Sequence, residues 1–351
     1  MSSWLDRHWY GSAGVLKLLS PLEGVFSALA QRRRQAYQQQ RKPSYRASVP
    51  VVVVGNISIG GTGKTPFTLW LLEQLKQRGL RPGVVSRGYG GKAPEYPFAV
   101  TAQSRPEQVG DEPLMLASHS GCPLVVDPDR GRAVRHLLQH HDCDLIVSDD
   151  GLQHYALQRD IEIVLIDGQR GFGNGHCLPV GPLREPPSRL EQVGFIVING
   201  QPDSNPQLQS QLSALAVEET AVMALRPGGW RRLDGEAVEL APQSVHAVAG
   251  IGNPQRFYDT LGKLGFEVNA HSFVDHHRYQ EEELQFEPEL PLVMTEKDAV
   301  KCRAFSPDNR YYLPVTATLP VGFQDALLTK INQLVAASAE ERPQDARNKD
   351  G

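Results

Sequence analysis

Cysteine is scarce in this sequence: Cys122, Cys143, Cys177 and Cys302 are spread through 351 residues with no C-x-x-C pair among them. That spacing argues against a clustered zinc site and a disulfide framework, and it points to a reducing, cytoplasmic compartment. Long apolar runs are missing as well. Asp6, Arg7, Lys17 and Glu23 interrupt the N-terminal stretch, so neither a signal-peptide core nor a membrane-spanning helix is expected. Excess charge is absent too, with 36 Lys and Arg against 40 Asp and Glu and a net charge of -4. No overall basic field exists to hold nucleic acid, and any attraction to an anionic surface has to come from a local cluster. No segment calls for an obligate protein partner. At 40% apolar and 22% charged, the chain has the make-up of an ordinary globular protein, and its length favours two domains.

One absence is local. Acidic residues are missing from positions 24–72, while Arg32, Arg33, Arg34, Arg41, Lys42 and Arg46 accumulate there. Ahead of that cluster, Leu5, Trp9, Val15, Leu16, Leu19, Leu22, Val25, Phe26 and Leu29 recur at roughly helical spacing, interrupted at Gly11, Gly14 and Pro21. An apolar wedge followed by a basic run suits helices lying on a membrane surface. The same pattern also suits helices packed on the protein's own core with a solvated basic tail.

Residues 49–54 form a β-branched run ending at Gly55, and helical periodicity resumes over 67–77 before Gly79. Between strand and helix lie Ser58, Ile59, Gly60, Gly61, Thr62, Gly63, Lys64 and Thr65, a phosphate loop. Its glycines let the backbone fold tightly with N–H groups aimed at phosphate oxygens. Lys64 is placed to reach the β and γ phosphates and Thr65 to ligate Mg²⁺. The strict motif has glycine where Ser58 stands.

Further buried-strand candidates at 83–86, 124–126, 145–148, 161–166 and 195–198 alternate with helix-length stretches such as 112–118 and 130–140. The expected fold class is therefore α/β, a P-loop NTPase-like, mostly parallel sheet covered by helices, with a second, smaller α/β domain. We expect an amphipathic segment at 1–48, a nucleotide-binding core at 49–225, the smaller domain at 226–337 and a disordered tail at 338–351. The smaller domain would hold strands near 245–249, 267–272, 292–295 and 311–315, and helices near 255–264 and 323–337.

Leu145-Ile146-Val147-Ser148-Asp149-Asp150 reads as the hydrophobic strand that delivers a metal-binding acid beside a phosphate loop, so Asp149 or Asp150 is expected to contact Mg²⁺. The alternative is a strand-ending turn before Gly151. Asp111, in Gly110-Asp111-Glu112 at a predicted helix start, is a candidate to orient an acceptor hydroxyl, or simply a helix cap. Asp275-His276-His277 could supply ligands, a proton relay or a polar loop. Two other nucleotide proteins fit less well. A guanine-reading motif needs Lys directly after Asn or Thr, and in Thr295-Glu296-Lys297-Asp298 it stands one place late. The deviant loop of partitioning ATPases has Lys just before the double glycine, where this chain has Ile59.

Several blocks together carry a resemblance: the phosphate loop with Pro66, Ser86-Arg87-Gly88-Tyr89-Gly90, Gly110-Asp111-Glu112-Pro113, Asp149-Asp150-Gly151-Leu152-Gln153-His154, Gly181-Pro182-Leu183-Arg184-Glu185, Phe273-Val274-Asp275-His276-His277 and Thr295-Glu296-Lys297-Asp298-Ala299. The sequence resembles the tetraacyldisaccharide 4'-kinase family of lipid A biosynthesis across both expected domains. The resemblance implies transfer of the ATP γ-phosphate to the 4'-hydroxyl of a tetraacylated disaccharide 1-phosphate at the cytoplasmic face of the bacterial inner membrane. It also implies Asp111 as the acceptor-activating group with His276 as its partner, and Thr65, Glu112, Asp149 and Asp150 around magnesium. Tyr89 and Arg184 would hold the lipid's polar head. An acceptor with four acyl chains stays in the bilayer, which favours the membrane reading of the N-terminal wedge.

Overall fold

The computed structural model describes residues 4–341 except 203, 204, 216 and 218. Nine strands make one sheet: β1 Val51–Gly55, β2 Pro82–Ser86, β3 Phe98–Val100, β4 Leu124–Val126, β5 Leu145–Asp149, β6 Ile161–Asp167, β7 Phe195–Asn199, β8 Glu219–Pro227 and β14 Val315–Thr318. Their order is β14-β8-β7-β6-β1-β5-β2-β4-β3. All pairs are parallel except at the edges, where β14 runs against β8 and β3 against β4. β1, β2, β5 and β7 are buried along their whole length, which is why they read as unbroken apolar runs.

Alternation along β1 divides the core. Val52 and Val54 pack with Phe67, Leu71, Leu72 and Leu75 of the helix Lys64–Gln77, whereas Val51 and Val53 face Ala133, Val134 and Leu137 of the helix Arg130–His140. Each fully buried leucine contributes roughly 1.5–3 kcal/mol of apolar transfer. These helices fix the phosphate loop between β1 and Lys64, at the carboxyl end of the sheet.

Five more strands form a second sheet: β9 Arg231–Arg232, β10 Ser244–Ala249, β11 Glu267–Ser272, β12 Leu292–Thr295 and β13 Arg310–Leu313, in the order β11-β10-β12-β13-β9. The expectation that residues 226–337 form the smaller unit and 49–225 the core does not match this strand membership. β8 reaches Pro227, and the chain then returns: β14 pairs with β8, and Phe323, Leu327, Leu328 and Ile331 of the helix Val321–Glu341 join the core beside Phe67. The second sheet is thus an insertion. The return went unread because β8 alternates buried and exposed positions too weakly to announce a strand, and the edge strand β14 is only four residues long. Residues 338–341, expected in a disordered tail, continue the last helix, and 342–351 lie outside the described residues.

The N-terminal stretch folds as a helix Trp4–Trp9, a 3-10 turn Gly14–Leu19 and a long helix Ser20–Gln38. Pro21 starts the long helix rather than breaking it, because a first-turn residue needs no N–H partner. Ala13 and Leu16 pack on Val180, while Val15, Leu18, Leu22, Val25 and Leu29 stay exposed. Among the described residues no helix is long and apolar enough to cross a membrane.

Candidate active site

The loop after β1 turns at Gly60 and Gly63, whose φ angles of +107° and +91° disfavour any side chain. A Cβ on Gly63 would also lie 2.4 Å from Asn199 Nδ2. Ser58 needs no such freedom. It is buried, does not take a positive φ and makes a backbone bridge to Leu183, so the missing glycine of the strict motif has no conformational cost here. Ile59 N–H donates to the Pro182 carbonyl at 2.8 Å. Thr62 receives the Asn56 side-chain amide at 3.3 Å, and Gly61 lies against Gly252 of the second unit. Lys64 and Thr65 open the helix Lys64–Gln77 and are both buried. Their position at a helix N-terminus suits bound anionic oxygens.

β5 lies beside β1, with Asp149 level with Val54, and this register brings both acids to the loop. Lys64 Nζ sits 3.4 Å from Asp150 Oδ1, and Arg184 approaches Asp150 Oδ2 at 3.5 Å. Burial alone would raise the Asp150 carboxyl, but Lys64 and Arg184 outweigh it and hold the group at about 2. Asp149 goes the other way, pushed up to about 7 by burial and by the neighbouring Glu112 and Asp150 charges. Ser86 donates to its Oδ2 at 3.2 Å, while its Oδ1 is enclosed without a hydrogen-bond partner. An orphaned carboxylate oxygen in a crowd of acids is a donor set suited to a divalent cation. Among the described residues no three His, Cys, Asp or Glu side chains make a complete metal cage. Magnesium ordinarily keeps waters and phosphate oxygens as ligands, so an incomplete protein set fits it.

The third cluster is assembled from both units. Asp111 begins the helix Asp111–Ser120 and is buried. Its Oδ1 accepts the Glu112 N–H at 3.0 Å, a bond within the first turn, and the cap position itself is Gly110, so Asp111 is not the helix cap. Its stronger partner is His276, whose Nδ1 lies 2.9 and 3.0 Å from the two carboxylate oxygens. His276 reaches it from a left-handed backbone, φ +60°. Burial opposes both charges, yet the mutual hydrogen bond prevails: Asp111 falls to about 2 with help from Lys297, and His276 rises. Lys297 Nζ stands 2.9 Å from Glu112, 3.3 Å from Asp275 and 3.9 Å from Asp111, and is held firmly protonated by them against its burial. Glu112, expected beside magnesium, therefore shares its charge with Lys297.

Sequence reasoning gave no role to Lys297, although its block stood out. It separates from its neighbour Asp298, which is fully buried and accepts from Thr295 at 2.6 Å, Tyr279 at 3.0 Å and the Gly250 N–H at 3.0 Å, with Lys301 Nζ at 2.7 Å. With every oxygen taken, Asp298 has no capacity to read a guanine base.

Two cavities flank this centre. One, of about 210 Å³, lies between the sheets beside Gly61, Thr62, Gly63, Lys64 and Thr65, walled by Met115, Leu225, Ile251, Phe257 and Val315, with Glu112, Arg256 and Lys297 at its polar edge. The other, of about 760 Å³, runs from Asp150, Arg184 and Tyr89 to Phe26, Leu29 and Arg33 of the N-terminal helix, with Arg87, Arg130 and His154 on its walls. Tyr89 is largely exposed there, its ring 5.1 Å from that of His276. Arg33 and Arg130 join this basic wall only through tertiary folding. Asp6, Lys17 and similar charges of the N-terminal stretch take no part in it.

A family model described as tetraacyldisaccharide-1-P 4'-kinase matches residues 15–332. The chain is 51% identical over 330 residues to the tetraacyldisaccharide 4'-kinase of Azotobacter vinelandii, covering 94% of this chain and 97% of that one. Identity to the enzyme of the same name from Pseudomonas aeruginosa is 49%, covering 93% and 97%. Among solved structures, LpxK from Aquifex aeolicus in complex with ATP superimposes with a TM-score of 0.73 at 26% identity, covering 92% of this chain and 99% of that one.

Proposed function

The chain belongs to the tetraacyldisaccharide-1-phosphate 4'-kinase family, and on that premise we propose how its residues divide the work. It is an ATP-dependent kinase that phosphorylates the 4'-hydroxyl of a tetraacyldisaccharide 1-phosphate in lipid A biosynthesis. The observation that carries our assignment of roles is the Asp111–His276 pair, 2.9 Å apart and drawn from the two units, with Glu112, next to Asp111 in the chain, lining the same cavity as Lys64.

The donor half is Ser58 to Thr65. Backbone N–H groups and Lys64 hold the ATP phosphates, and Thr65 with Asp149, Asp150 and Glu112 would hold magnesium. A magnesium ion held there would offset the charge of the phosphates. Lys64 and Arg184 keep Asp150 ionised for that role, and the unpartnered Oδ1 of Asp149 fits it.

The acceptor half is Asp111. A carboxylate held at about 2 is a feeble base at neutral pH, so its main contribution is to orient the 4'-hydroxyl. The hydroxyl proton passes to Asp111 late, as the new O–P bond forms in a loose transition state where little early deprotonation is required. His276 aims the carboxylate and balances its charge, and Lys297 holds Glu112 and Asp275 in place around it. Tyr89 and Arg184 border the larger cavity, whose arginines suit a phosphorylated sugar head.

The same geometry supports docking on a membrane surface, which the lipid acceptor would place at the cytoplasmic face of the inner membrane. Leu22 and Val25 are exposed on the helix Ser20–Gln38, and Leu18 of the preceding 3-10 turn and Leu29 at the cavity's rim extend this apolar patch. Phe26, Ala30 and Arg33 line the cavity, and Arg32 and Arg33 are exposed beyond the patch. The patch can enter the acyl region while each basic residue adds about 1 kcal/mol on an anionic surface. Incubation with labelled ATP, Mg²⁺ and tetraacyldisaccharide 1-phosphate should yield a bisphosphorylated lipid. ATP hydrolysis with no lipid product in any detergent would overturn the assignment.

A further inference from the structure

The phosphate loop has an attachment that the chemistry above does not use. Tyr10, one residue past the helix Trp4–Trp9, donates its hydroxyl to the Ile59 carbonyl at 2.9 Å. Its ring lies 4.4 Å beneath the Arg170 guanidinium, a cation–π contact. Arg170 in turn donates to the Gly252 carbonyl in the second unit. That loop presses on the phosphate loop so closely that a Cβ on Gly252 would lie 2.3 Å from Gly61 N. Tyr10 and Arg170 therefore stand where the N-terminal segment, the phosphate loop and the inserted sheet meet.

Ile59 is held at both of its backbone polar groups, by Pro182 at the N–H and by Tyr10 at the carbonyl. A trans peptide is planar, so fixing the Ile59 carbonyl also fixes the direction of the Gly60 N–H opposite it. This is the peptide on which the loop begins its turn through Gly60 toward Lys64. The N-terminal segment is itself seated close by. Trp9 Nε1 donates to the Pro179 carbonyl at 3.2 Å, and the Trp9 carbonyl accepts the Asn174 N–H at 2.7 Å.

We propose that Tyr10 is a positioning residue for the phosphate loop, and that with Arg170 it makes ATP affinity depend on the seating of the N-terminal segment. The proposal rests on the loop being the ATP site, which Lys64→Ala tests separately.

The test uses the full chain with tetraacyldisaccharide 1-phosphate in mixed micelles, varying ATP and then lipid. Tyr10→Phe keeps the ring under Arg170 and deletes one hydrogen bond, so the KM for ATP should rise about fivefold to tenfold. The KM for lipid should stay within twofold and the thermal midpoint should hold. Trp9→Phe, which removes the indole bond to Pro179 and part of the ring's packing beside Leu16 and Val180, should raise the ATP KM in the wild-type background and leave it unchanged in the Tyr10→Phe background. An ATP KM for Tyr10→Phe within twofold of wild type overturns the positioning role, as do equal shifts in both KM values. Strictly additive effects of the two substitutions overturn the coupling. If Lys64→Ala keeps a normal ATP KM, the reading of the loop fails, and that failure is visible apart from the Tyr10 result.

Discussion

Replacing Asp111 with Asn keeps the shape of the side chain and removes its charge. In the folded protein this carboxyl is lowered from 3.8 to about 2, since the His276 hydrogen bond and the Lys297 charge together outweigh burial. A depression of about two pH units corresponds to roughly 2–3 kcal/mol of stability carried by the ionised form. Because the folded value lies below the unfolded one, that contribution is fully present above the ordinary carboxylate range and is lost only as pH falls toward about 2. His276 has the opposite sign: its raised folded value adds stability below its ordinary range, and the gain is lost as pH rises through the folded value. The Asp111–His276 ion pair is therefore worth most between these limits, in mildly acidic to neutral solution. Asp111→Asn should cost about 2 kcal/mol in denaturant unfolding at pH 6, and the His276 imidazole should titrate lower by NMR. Turnover at saturating ATP and lipid should fall by about 10²–10⁴, the range for an orienting or proton-accepting group. The KM for ATP should stay within threefold, because the proposed role of Asp111 is on the acceptor side. Turnover within tenfold of wild type would refute the assigned role, and an unmoved His276 titration would refute the electrostatics behind it.

Lys64→Ala should abolish ATP binding by calorimetry while the thermal midpoint is retained; a variant that still binds ATP normally would contradict the loop assignment. Lys297→Met leaves Glu112 and Asp275 without their shared cation at 2.9 and 3.3 Å, so it should cost about 3–5 kcal/mol in chemical denaturation and most of the turnover. A neutral result would mean that the acids relax into solvent. Leu22→Gln with Val25→Gln alters two exposed side chains, each worth roughly 1.5–3 kcal/mol if fully buried in lipid, and should lower binding to phosphatidylglycerol vesicles at least about tenfold without unfolding. Unchanged cosedimentation would count against the docking surface. Truncation before Gln31 is a poorer probe, because it also removes Trp9, Tyr10 and Leu16, which pack against the body of the protein.

The central part of the fold was legible because each strand announces itself locally. A β-branched run buried on both faces needs no alternation to be seen, and β1, β5, β6 and β7 all fall within a residue or two of where the pattern put them. The edges were harder. β8 and β14 are short of continuous apolar residues, and their pairing spans the whole inserted sheet, a separation no local pattern reports.

For the candidate site, sequence alone determined the phosphate loop and the acids at the end of β5. A tight turn before a helix requires glycines at fixed offsets, and a strand end requires a sharp change from apolar to acidic, so both signatures are contiguous in the chain. Tertiary structure decided what those groups touch. It set Asp111 against His276 across 165 positions and Lys297 against Glu112 across 185, and it gave two adjacent aspartates opposite titration, one at about 7 and one at about 2. Those outcomes depend on distances between side chains and on exclusion of water. Neither quantity exists until the two sheets have folded against each other.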